Sequence, residues 1–146
     1  MIDTTNHMFT IVVEHKMKNS NNGQTKHWST TAADRKQWMK ALDNATVEVN
    51  EIHLSLGEFI TEVLLDRPVA SLVGLVIERV LGPKERLWDA DSVLRGSAKQ
   101  LIDSIVEYEV LGDDDAKHVL WSLGTQDKSD RSQGPAVRVH FYQVSP

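Results

Sequence analysis

Between Leu72 and Leu81 the chain reads Leu-Val-Gly-Leu-Val-Ile-Glu-Arg-Val-Leu, and Gly82-Pro83 follows at once. A short, nearly continuous run of β-branched and aliphatic residues predicts a strand in the middle of a sheet, buried on both faces. Proline has no N–H to give to a ladder, so the strand should stop there.

Around this strand the other elements can be placed by period and turn chemistry. Phe9–Glu14 is short and β-branched and predicts a first strand. Lys18–Gly23 is a polar turn or loop. Thr31-Ala-Ala-Asp34 resembles a capping box opening a helix, behind which Trp38, Leu42, Ala45 and Val49 form an apolar stripe. That stripe can be extended through Ile52 and Leu56. Residues 47–66 also alternate at period two, however, and so are open to either assignment. Ser92 to about Tyr108 suits a helix, with Leu94, Ala98, Leu101, Ile102 and Ile105 on its apolar face. Val119–Thr125 and Ala136–Val144 are strand-like and flank the turn-forming Asp127–Gly134, which predicts a hairpin. The order of elements predicts one α/β or α+β domain over residues 1–146, with a mixed β-sheet flanked by helices.

Composition narrows the chemistry. With 146 residues, the chain is long enough for a core without staples, and no cysteine is present. Disulfide scaffolds, thiolate-ligated zinc, iron–sulfur clusters and thiol nucleophiles are thereby excluded. No apolar run approaches membrane-spanning length, and the first residues lack the layout of a secretory signal, so a cytoplasmic protein with no membrane partner is expected. The net charge of −5 hides a polarised chain. Residues 11–40 carry Lys16, Lys18, Lys26, Arg35, Lys36 and Lys40 against Glu14 and Asp34, whereas residues 100–116 carry six acids and no base. Such asymmetry can hide a polyanion-binding face inside an acidic protein.

The chemistry-bearing stretch is Arg86–Val119. Asp89 and Asp91 stand two apart just after the predicted strand, so on extended backbone both carboxylates project to the same side. Two carboxylates held that close repel each other unless a cation neutralises them, and with oxygen ligands a hard ion such as Mg²⁺ (or Mn²⁺) is favoured. Alone, an Asp-x-Asp pair commonly marks a solvated turn, and so does the run Asp113-Asp114-Asp115. The two together, separated by one helical segment carrying Lys99, form a more specific pattern.

That pattern resembles the RusA-type Holliday junction resolvases. The matching residues are Asp89-Ala-Asp91-Ser92-Val93, Gly96, Lys99, Leu101-Ile102-Asp103 and Asp113-Asp114-Asp115-Ala116, followed by His118-Val119. The resemblance implies a homodimeric, Mg²⁺-dependent endonuclease that cuts four-way DNA junctions by paired nicks. Carried over position by position, Asp89, Asp91 and Asp115 would bind metal and Lys99 would assist. The run of three aspartates keeps Asp114 open as the third ligand. Ser92 stands where the family usually has Asn, and the long spacing from Asp91 to Lys99 leaves Arg95 as a rival for the lysine's role.

Phosphodiester cleavage fits the same residues independently, because carboxylate-held Mg²⁺ can activate water and relieve charge, while a lysine opposes the charge of the transition state. Lys16, Lys18, Lys26, His27, Arg35 and Arg95 are candidates for gripping DNA phosphates. Trp28 is expected in the core, with base stacking as the alternative. Trp88 is a candidate for packing under the site, and His118 is expected to be structural, with orientation of Asp115 as the alternative. Reach sets a condition. An unbroken helix from Ser92 to Tyr108 carries the chain about 24 Å at ~1.5 Å per residue, and seven extended steps return at most about 24 Å. A shared site within one subunit is barely possible for a full helix and comfortable if regular helix starts near Gly96. Val93–Gly96 is therefore expected to be turn or distorted helix, and Glu109–Gly112 to run back antiparallel. Two other readings use the same features: a phosphohydrolase acting on small substrates, and a non-catalytic DNA-binding or phage-related protein that retains the fold.

Overall fold

The structure is a computed structural model and describes residues 6–18, 28–89, 92–95 and 98–144, with the side chains of the first helix described from residue 32 onward. Six strands form one mixed sheet in the order β3-β2-β1-β6-β4-β5. In chain order the elements are β1 (His7–Val13), α1 (Trp28–Leu42), β2 (Thr46–Val49), β3 (Ile52–Ser55), α2 (Leu56–Glu58, continued as a π-helical stretch Phe59–Val63), β4 (Val73–Val80), α3 (Ser92–Arg95), α4 (Ala98–Glu107), β5 (Val119–Asp127) and β6 (Ala136–Gln143).

β4 takes the central place its composition demands, since all but Glu78 of its eight residues are buried. It pairs antiparallel with β6 and parallel with β5. The α3–α4 segment is therefore the crossover that parallel strands require. This corrects the expected hairpin: β5 and β6 are not paired with each other, because β4 lies between them. A strand that is apolar on both faces is most stable with a neighbour on each edge, and residues 128–135 are long enough to step across it.

Residues 47–66 resolve as strands β2 and β3 followed by the short helical stretch of α2, and not as an extension of α1. The helix ends at Leu42, Asp43-Asn44 disfavours its continuation, and the β-branched Thr46–Val49 takes up extended backbone. Val49 thus belongs to β2. Asn50 and Glu51 adopt φ of 49° and 65°, which gives the two-residue turn of a tight β2–β3 hairpin. The helix also begins earlier than the Thr31–Asp34 box suggested. Asp34 lies inside it, 2% exposed, with the Lys18 ammonium 3.6 Å away.

Register puts Phe9, Ile11 and Val13 of β1, Val137, Val139 and Phe141 of β6, and Val73, Leu75 and Ile77 of β4 on one face of the sheet. Trp38 and Leu42 of α1, Leu101 and Ile105 of α4, Val93 of α3 and Phe59 join them in a single core. The rings of Phe9 and Phe141 stack at 4.3 Å, with Phe59 at 4.5 Å from Phe9. The opposite face carries Thr10, Glu78, Arg138, His140 and Tyr142, so the helices build one layer against one side of the sheet. Among the described residues no helix is long and apolar enough to cross a membrane.

Candidate functional site

Two segments, one at each end of the crossover, carry the candidate residues. The first leaves β4 and runs without regular structure to Asp89, whose side chain is exposed and whose carbonyl accepts the Ser92 N–H at 3.0 Å. Asp91 lies outside the described residues, so the expected same-side pairing with Asp89 has no geometry to report. Trp88 is half-buried, with the Arg79 guanidinium carbon 3.8 Å above the centre of its ring. α3 then packs on β5 at Gly124, where an added Cβ would stand 2.9 Å from the Val93 Cβ.

The second segment returns along α4. Gly96 and Ser97 lie outside the described residues; Val93–Arg95 is α-helical within α3, which corrects the expected turn or distorted helix there, and α4 begins at Ala98. After Glu107 the chain turns: Glu109 has φ of 66°, and the buried Val110 and Leu111 fold back towards the core. Val69 donates its N–H to the Val110 carbonyl at 2.9 Å and fixes this return. The chain thereby brings Asp114 beside Lys99, fifteen residues earlier in the sequence.

Lys99 donates to the carboxylates of both Asp114 and Asp103, the latter at 3.1 Å one turn along α4. The contact holds Lys99 above its ordinary pKa, through Asp114 first and Asp103 second, and holds Asp114 below the usual carboxylate value. Asp115 faces elsewhere. Its Oδ1 lies 2.5 Å from His118 Nδ1 and accepts the Lys117 N–H at 3.2 Å, and the imidazole depresses its pKa. The ring of His118 is packed against Gly112, where an added Cβ would stand 2.9 Å from Nε2. Asp113 accepts the Asp114 N–H at 2.7 Å. The three consecutive aspartates therefore do three different things, and Asp114 is the one that meets the lysine.

These donors are carboxylate oxygens, the class that a hard divalent cation takes, and Asp114 and Asp103 already converge on one positive charge. In donor type the set fits Mg²⁺ or Mn²⁺. Among the described residues no three carboxylates or imidazoles gather closely enough to hold an ion.

The candidate DNA-gripping residues are dispersed. Arg35 donates to Glu107 at 2.9 Å and ties α1 to α4. Lys18 lies near Asp34, and Arg95 is exposed at the end of α3. Lys16 shares a pocket of about 330 Å³ with Lys84, Pro83 and Pro135. Lys26 and His27 fall outside the described residues, as does the side chain of Trp28. Asp103 lies within the motif without a role of its own there, although its i,i+4 spacing from Lys99 is a recognisable ion-pair signal. Arg79 and Gln126, which hold the approach to Asp89, had no signal in the sequence beyond lying on strands. No family model matches this chain, and the search of curated proteins returned no match.

Proposed function

We propose that the chain is a metal-dependent endonuclease that cuts branched DNA, as the resemblance to the RusA-type resolvases implies. The observation that supports it most is the meeting of Lys99 with Asp114, because it joins the motif's lysine to one of its later acids across fifteen residues of sequence. Asp89, Asp91 and an acid of the Asp114–Asp115 pair would hold Mg²⁺, and contact with Lys99 favours Asp114. The bound ion would supply Lewis acidity and a lowered pKa for water. Lys99, kept protonated by its carboxylate neighbours, would oppose the negative charge that grows on the phosphate oxygens. Asp115, held on His118, would fix the turn that presents Asp114. Two copies related by a two-fold axis would match the symmetry of a four-way junction, and selectivity would rest on backbone geometry.

A second reading, a non-catalytic binder of branched DNA, is favoured by one observation: the Lys99 ammonium pairs with both Asp114 and Asp103 and itself offsets their charge. One experiment separates them. A synthetic four-way junction is incubated with Mg²⁺ and wild-type protein or Asp91→Asn. The nuclease reading expects paired nicks from the wild type, and binding without cutting from the variant. Junction binding with no nicking by either protein supports the binder. Hydrolysis of nucleotides with the junction left intact would point to a small-substrate phosphohydrolase.

A further inference from the structure

The stretch from Leu81 to Asp89 has no regular structure, yet it must deliver Asp89 to a fixed place. Three side chains hold it. Arg131 donates to the carbonyls of Gly82 (2.8 Å) and Glu85. Arg79, only 3% exposed, donates to the Arg86 carbonyl at 2.9 Å, to Glu85 Oε2 at 3.1 Å and to Gln126 Oε1 at 2.8 Å. Gln126 then grips the main chain of Trp88 at both ends: Oε1 accepts the Trp88 N–H at 2.9 Å, and Nε2 donates to the Trp88 carbonyl at 3.0 Å. A primary amide here replaces the neighbouring strand that this backbone lacks.

The polarity of that amide is set by its surroundings. Arg79 and the Trp88 N–H are both donors, so the oxygen must face them; the reversed amide would aim its NH₂ at two donors and leave the Trp88 carbonyl without one. Arg79 and Gln126 are also register partners on β4 and β5. Two residues earlier on the same face of β5, Gly124 seats Val93 and Leu94 of α3. Positions 124 and 126 of one strand thus hold the chain at Val93 and at Trp88, on either side of Asp89 and Asp91.

We infer that Gln126 is a positioning residue for Asp89, with Arg79 locking its amide in the orientation that pins Trp88. The inference rests on the nuclease reading, in which Asp89 is a metal ligand. Outer residues that orient ligands typically change metal affinity or activity by 10–100-fold when replaced.

Gln126→Glu and Gln126→Met test it. Glutamate accepts from Arg79 and the Trp88 N–H as well as glutamine does, but it faces the Trp88 carbonyl with an acceptor. A role limited to balancing the Arg79 charge expects glutamate to equal or surpass glutamine. Positioning expects both variants to bind Mn²⁺ about tenfold more weakly by calorimetry without DNA, with faster amide exchange at Trp88 and Asp89 and unchanged junction affinity. Amide exchange also reports directly on whether each variant retains the fold. A folded Gln126→Glu that binds Mn²⁺ like the wild type and protects Trp88 equally would overturn the assignment alone. Failure of the wild type both to bind Mn²⁺ and to cut would overturn the nuclease reading, and this assignment with it.

Discussion

His118 Nδ1 lies 2.5 Å from Asp115 Oδ1, and this contact turns Asp115 away from the neighbouring carboxylate that meets Lys99. Adjacent residues project differently, so two consecutive aspartates cannot easily serve one point. The turn from Asp115 to His118 is closed further by the Asp115 carbonyl, which accepts the His118 and Val119 N–H groups at 3.0 and 2.9 Å. His118 in turn offers its own carbonyl to the Val73 N–H at the start of β4.

From this divergence follows a difference between two otherwise similar variants. Asp114→Asn removes the acid beside Lys99 and should lower Mg²⁺-dependent junction cutting at least about 100-fold, the usual scale for losing a group that acts on the transition state. Asp115→Asn keeps a hydrogen-bonding partner for His118 and should cost about tenfold or less. Single-turnover cleavage at saturating Mg²⁺ checks the order. The reverse order would return the ligand role to Asp115.

On the open face of the sheet, Glu78 Oε1 accepts from Arg138 and His140, each at 3.1 Å, while Arg138 also reaches Asp127 at 3.0 Å. The His140 and Arg138 contacts depress the Glu78 pKa below its ordinary 4.5. A lowered folded pKa means that this stabilisation is complete above the unfolded value and is lost as pH falls through the lower folded one. Glu78→Gln should therefore destabilise the protein at pH 7 by about 1–3 kcal/mol, since two partly buried donors lose a charged acceptor. The gap in melting temperature between the two proteins should narrow as pH drops below 4.5. Thermal melts at a series of pH values measure it.

Legibility in the sequence followed the range of the interaction. The β4 run, the Trp38–Leu42 stripe and the apolar face of α4 were readable because burial imposes a period on consecutive residues. The helix start at Ser55 lies within the stretch open to either assignment: Ser55-Leu-Gly-Glu58 is a capping box, with Ser55 Oγ accepting the Glu58 N–H at 3.1 Å and Glu58 accepting the Ser55 N–H at 3.3 Å. Partner choice was not readable. Which strand β5 pairs with depends on β4 being buried on both faces, a three-dimensional fact that leaves Val119–Thr125 and Ala136–Val144 looking like a hairpin. The same holds at the site. The motif marked Lys99 and Asp115, with Asp114 as the alternative, but Gln126 acts through contacts 38 residues away in sequence.

Two cations singled out as DNA contacts should behave differently in salt. Arg35 is occupied by Glu107 in an exposed pair whose contribution to stability is small, about 0–1 kcal/mol. Lys16 stands with Lys84 at one pocket. If DNA crosses that pocket, Lys16→Ala reduces the slope of log K against log salt by about 1. Arg35→Ala leaves that slope unchanged. Junction binding measured by anisotropy across a salt series distinguishes them.

Gly124 offers the sharpest test of how α3 is seated. A Cβ there would meet Val93 Cβ at 2.9 Å, Val93 Cγ1 at 3.2 Å and Leu94 Cγ at 3.3 Å. Val93 is fully buried and cannot swing aside, so the backbone of α3 must move away from β5. Gly124→Ala should cost about 1–3 kcal/mol, the usual range for overpacking a tight contact. The residue directly before α3 is Asp91, so the same displacement should weaken Mg²⁺-dependent cutting beyond what the stability loss explains. Chemical denaturation gives the first quantity, and the Mg²⁺ concentration for half-maximal cutting at a temperature where both proteins are folded gives the second. A destabilised Gly124→Ala with unaltered Mg²⁺ dependence would mean that the seat of α3 on β5 does not set the position of the aspartate arm.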